Sequence, residues 1–124
     1  MPGFDRRAGM RAVANPAALD AAMWRGDDVL VLRLAPDEAL GLGAVGVDVD
    51  DEHAIVEEDR GLVGGWFELE RLERHIEWHI PDARPVFAQG SVAGVPAKLW
   101  IESDDRVLVV TAAAYAHELD GRLR

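Results

Sequence analysis

The chain predicts an α+β fold, a mostly antiparallel sheet with helices packed on one side. Three observations carry that expectation. Apolar runs rich in Val, Leu and Ile recur along most of the length, several with period-two alternation. Three stretches, at 16–24, 68–80 and 112–123, carry helix-start signals or helical spacing instead. Neighbouring strand candidates are joined by short turns and not by helices, which argues against a doubly wound parallel sheet.

Residues 1–14 hold Gly3, Gly9 and several arginines without clear periodicity, so they read as a poorly ordered lead-in to a single domain over 15–124. Asn15-Pro16 is a helix start, with Asn as cap and Pro in the first helical position, and Gly26 is the stop. Residues 29–34, Val-Leu-Val-Leu-Arg-Leu, read as a strand buried on both faces. Pro36-Asp37-Glu38 turns the chain into a return strand over 39–42. Strand patterns follow at 45–49, 53–57 and 61–67, with Gly64-Gly65 marking a bulge or a close backbone approach. Over 68–80 the period changes: Leu69, Leu72 and Ile76 stand three and four apart among Glu and Arg, and Pro81 ends the helix. Three strands over 85–92, 96–101 and 106–111 turn at Ala93-Gly94 and Ser103-Asp104-Asp105. Thr111 caps a last helix whose buried face carries Tyr115 and Leu119.

Composition excludes several functions. Thirteen Lys and Arg against 23 Asp and Glu give a formal charge of −10, which repels a duplex or an anionic membrane surface. The absence of cysteine removes disulfides, thiolate metal sites and a cysteine nucleophile. No secretory signal opens the sequence and no apolar window reaches the roughly 18 residues of a membrane span. The expected address is the cytoplasm.

Gly41-Leu-Gly43-Ala-Val-Gly46 matches the dinucleotide fingerprint literally. That loop must open a helix, whereas a strand pattern, Val47-Asp-Val49, follows here, so a glycine-rich turn is expected. Asp48 to Glu52 hints at a calcium loop, but His53 stands where the sharp turn needs glycine. His75 and His79, four apart on the expected helix, project from one face and form a candidate metal pair, with Glu68, His53 or His117 as a third ligand. The bland alternative is two histidines complementing a helix end. Lys98, the sole lysine, shares a strand face with Trp100 and Glu102 and reads as solvated. Trp66, Trp78 and Trp100 stand on elements already supplied with aliphatic core residues, which makes them candidate interface anchors.

Leu32-Arg-Leu-Ala-Pro-Asp-Glu-Ala-Leu40 resembles the strand, turn and return strand of aminomethyltransferase-like proteins. The run Ala88-Gln89-Gly90, then Val92-Ala-Gly-Val-Pro-Ala-Lys-Leu-Trp100, Arg106-Val-Leu-Val-Val and Ala114-Tyr-Ala-His-Glu-Leu119 is similar to the end of sarcosine oxidase gamma subunits. The resemblance implies a small relative of the glycine-cleavage T-protein fold and an accessory role, flavin and folate being handled by larger subunits. Residues 41–80 do not follow the pattern, and no catalytic or folate-binding residue of the family maps onto this chain.

The expected function is therefore a non-catalytic accessory or binding domain acting through contacts with a protein partner or a second copy of itself. No cofactor is predicted. The alternatives are a small metal-dependent enzyme using His75 and His79, and a self-assembling small-ligand binder lined by Trp100 and Tyr115.

Overall fold

Strands dominate the fold. In the computed structural model, which describes residues 3–124, the order is β1 (Asp5–Val13), α1 (Pro16–Asp20), β2 (Met23–Arg25), β3 (Leu30–Ala35), β4 (Glu38–Leu42), β5 (Gly46–Asp48), β6 (Ile55–Phe67), α2 (Leu69–Glu73), β7 (Val86–Val92), β8 (Val95–Ser103) and β9 (Arg106–Ala112). A 3-10 turn (Ala113–Tyr115) then leads into α3 (Ala116–Leu123). Every ladder described below is antiparallel. The residues group into two compact units: Arg7–Arg60, here the N-terminal unit, and the C-terminal unit of Gly61–Arg124 with the residues up to Arg6.

The C-terminal unit is a four-stranded sheet in the order β6-β9-β8-β7. Alternation along each strand sends one set of side chains inward, where Val63, Val107, Val109, Leu99, Ile101 and Val92 form a single core. α2 and α3 cover that face, contributing Leu69, Leu72, Leu119 and Leu123. Each such side chain, once fully buried, stabilises by about 1.5–3 kcal/mol, so this layer holds the unit together. Phe4 joins the same core, 2% exposed, with its ring 5.4 Å from that of Phe67. Gly65 lies against the backbone carbonyl of Gly3 so closely that a Cβ would overlap it, the close approach that Gly64-Gly65 predicted.

The N-terminal unit is built from smaller pieces. β3 and β4 form the expected hairpin, pairing Leu32 with Leu40 and Leu30 with Leu42, and β1 pairs with the other side of β4. A separate two-stranded sheet joins β2 to β5. One core cluster of this unit is mostly alanine, with Ala12, Ala14, Ala39 and Leu19 buried. Asn15 caps α1 as predicted, its side-chain oxygen accepting from the Ala17 N–H at 3.0 Å with Pro16 in the first turn.

Six expectations need correction. The helix expected over 16–24 stops at Asp20, and Met23–Arg25 is the strand β2. The strands expected at 53–57 and 61–67 are one continuous strand, β6. The stretch read as a loose lead-in is the strand β1. Its alternation was hidden because arginine and small residues take its positions, and Arg11 is satisfied there by Glu38 at 2.9 Å and Asp59 at 3.1 Å. β3 is not buried on both faces: Leu32 is fully buried and Val31 is exposed. The helix over 68–80 stops at Glu73. Beyond it the N–H groups of His75 and Ile76 bond three residues back, and the His75 carbonyl accepts from Ala93, so the chain leaves the helical path. Finally, Thr111 does not cap the last helix. It lies buried inside β9, donating from its hydroxyl to the Pro96 carbonyl, and Tyr115 is 41% exposed.

Candidate functional site

Register places Trp66, Leu108, Trp100 and Phe87 in one cross-strand row of the C-terminal sheet, on β6, β9, β8 and β7 in turn. Alternation puts this row on the face opposite the helical layer. Leu108 is buried, Trp100 and Phe87 are half-buried, and Trp66 is 38% exposed. The Arg106 guanidinium stacks 3.8 Å above the Trp66 ring, held from its other side by Glu102, which accepts from Nε at 3.0 Å. A stacked guanidinium over an open indole combines apolar area with a fixed positive charge at low conformational cost. Tryptophan and arginine are also the residues that most often dominate protein contact energies.

Two of the three expected interface residues, Trp66 and Trp100, therefore share this face. Trp78 does not. It lies across the helical side of the sheet, its indole against Gly90 where an added Cβ would come within 2.6 Å of the ring, and its Nε1–H donates to the Ser91 carbonyl at 2.8 Å. Trp100 and Tyr115 are also set apart, the first on the face opposite the helical layer and the second in the turn that begins that layer.

The histidines do not keep the relation that their spacing suggested. His75 lies just past α2, half-buried, at the wall shared by two clefts; His79 lies in irregular chain and is exposed. The larger cleft, about 540 Å³, is also lined by Arg74, Glu77, Trp78 and Ser91. Of the suggested third ligands, His53 and His117 are exposed and Glu68 precedes α2 without making a cap bond. Among the described residues no three His, Asp or Glu side chains converge so as to hold a metal ion. Lys98 is half-buried in β8, opposite buried Val110.

The glycine-rich segment is a turn between strands. Gly41 ends up beneath the Trp24 ring, Gly43 takes a positive φ of +84°, and Gly46 begins β5, so no helix follows to face a pyrophosphate. In the acidic stretch after β5, Asp51 accepts from the backbone N–H of Asn15 at 2.8 Å and of His53 at 2.9 Å. Those bonds, the Asn15 one foremost, hold its carboxyl below the usual carboxylate range. No signal in the sequence marked this turn as a clasp, because both partners are main-chain groups.

The architecture defines a sheet-dominated α+β protein. No protein-family model and no curated protein sequence matches it. Among solved structures, the chain is similar to one chain of the heterotetrameric sarcosine oxidase from Corynebacterium sp. U-96, a structure determined in complex with pyrrole 2-carboxylate. The TM-score is 0.72 at 13% identity, over 97% of this chain and 80% of that one. The likeness is one of fold. Among the described residues no helix is long and apolar enough to cross a membrane.

Proposed function

We propose that this chain is a non-catalytic accessory domain, similar in role to a small subunit of a multi-subunit oxidase, and that it works through a protein contact made by the Trp66–Trp100 face. The observation that carries the reading is the partly exposed Trp66 ring stacked under Arg106, set on a fold shared with a chain of a heterotetrameric enzyme. A partner that covers this row would remove the indole from water and keep the Arg106–Glu102 pair at its margin, the usual arrangement of an apolar anchor inside a polar rim.

The test is gentle purification of the tagged full chain from its native host, beside Trp66→Ala. Wild type should elute with a partner in fixed stoichiometry. Trp66→Ala should elute alone while still unfolding in one cooperative thermal transition, its midpoint lowered by loss of the ring's contact with Arg106. Wild type recovered only as a monomer at high concentration, or a complex indifferent to Trp66→Ala, would refute the reading.

A further inference from the structure

The N-terminal unit exposes apolar side chains where the two-stranded β2–β5 sheet approaches the start of β6. A groove of about 530 Å³ there is lined by Met23, Val47, Val49, Ala54 and Val56, with Asp48 and Asp50 at its rim. Val47, Val49 and Ala54 form the floor, half-buried against the alanine-rich core. Met23 and Val56 form the walls and are 68% and 40% exposed. Met23 and Val56 thus leave apolar side chains in water beside charged ones, a surface that a partner segment can cover.

Charge selects what covers it. Arg7–Arg60 holds 12 acidic against 5 basic residues, a formal −7, whereas the rest of the chain holds 11 against 8, a formal −3. At the rim, Asp48 is engaged by Arg25 at 2.5 Å, while Asp50 has no ion-pair partner among the described residues. Asp51, next along, is held ionised by its two backbone donors. A second copy of the chain would bring the same acidic rim against this one, and an anionic lipid surface would be repelled likewise.

We propose that this groove receives a cationic, amphipathic segment of a partner protein, with apolar side chains laid on Met23, Val47 and Val56 and lysine or arginine placed against Asp50. The proposal is independent of the subunit role argued above, since it concerns the other unit and uses none of the residues of the Trp66 row.

The experiment uses the full chain with isotope-labelled methionine methyl groups, titrated with a synthetic heptapeptide of alternating Lys and Val, and with its Glu and Val counterpart. The Met23 methyl resonance should move saturably with the basic peptide and stay fixed with the acidic one, while that of Met10, which lies outside the groove, should stay fixed with both. Raising the salt from about 0.05 to about 0.3 M should weaken the effect several-fold. Asp50→Lys and Val56→Glu should each weaken it by roughly tenfold, about 1.4 kcal/mol, without changing thermal unfolding. A Met23 signal unmoved by the basic peptide, or moved equally by both, would overturn the proposal. So would a Met23 signal that moves when the chain alone is concentrated while its mass doubles, which would assign the groove to a second copy.

Discussion

The two units solve the same packing problem with different materials. The C-terminal unit sets branched aliphatic residues on four strands against two helices, and its core includes Leu72, Leu99, Ile101 and Leu119 with essentially no exposure. In the N-terminal unit one cluster is largely alanine, the helix has only five residues, and the β2–β5 sheet has two strands. Five of the seven large apolar side chains left in water, Met23, Val31, Val45, Ile55 and Val56, belong to this unit, as does most of the negative charge. Small residues let backbones approach closely but bury little area per residue, so apolar surface is left over. Open apolar surface is concentrated in the N-terminal unit, even though Leu32 and Leu40 are fully buried there.

That contrast can be tested most severely at Phe4. It comes from the first residues of the chain yet belongs to the large-residue core, so Phe4→Ala should lower stability in denaturant unfolding by about 3–5 kcal/mol. A negligible loss would mean that the first residues add nothing to the core and would erase the difference between the units.

A matched pair comes next. Each unit lays a tryptophan over a strand glycine, Trp24 over Gly41 and Trp78 over Gly90. An added methyl would collide with a rigid ring in both places, so Gly41→Ala and Gly90→Ala should each lower stability by about 1–3 kcal/mol and shift tryptophan emission to the red. Gly90→Ala should have the larger effect, because displacing Trp78 also breaks its bond to the Ser91 carbonyl. Equal losses would show that the hydrogen bond contributes nothing to the difference.

The smallest effect lies in acid. The folded-state carboxyl of Asp51 titrates below its ordinary 3.8, so the native state binds fewer protons than the unfolded chain in that range. Its contribution is complete above about pH 4 and disappears as the pH falls through the folded value. The stability difference between wild type and Asp51→Asn should shrink over that window, and the amides of Asn15 and His53 should exchange faster there before those of β8 and β9 do. A difference that stays constant with pH would show that the clasp does not depend on charge.

Much of the C-terminal unit was legible in the sequence. Alternation over residues 85–111 located three strands, and the turn at Ala93-Gly94 has the positive φ at both residues, +51° and +81°, that a tight hairpin uses. Asn15-Pro16 and the Pro36 hairpin were also readable, because capping and turn chemistry are local. β1 was not, since its partners come from Glu38 and Asp59, far along the chain. The overlong second helix failed for a related reason: Leu69, Leu72 and Ile76 do all face the core, but Ile76 reaches it from irregular chain tied down by Ala93. The candidate site divides in the same way. That Trp66 and Trp100 share a face followed from strand parity once register was fixed, whereas the His75 and His79 pair rested on a helix that ends before either residue.

The chain passes between its units at Arg6 and again at Arg60, so the N-terminal unit is continuous while its neighbour is assembled from both sides of it. During synthesis Phe4 precedes Arg7–Arg60, yet the strands and helices that enclose it are translated only after all of that unit. The core around Phe4 therefore cannot close until α3, with Leu119 and Leu123, has left the exit tunnel, whereas every residue of the Arg7–Arg60 unit has been made well before that point.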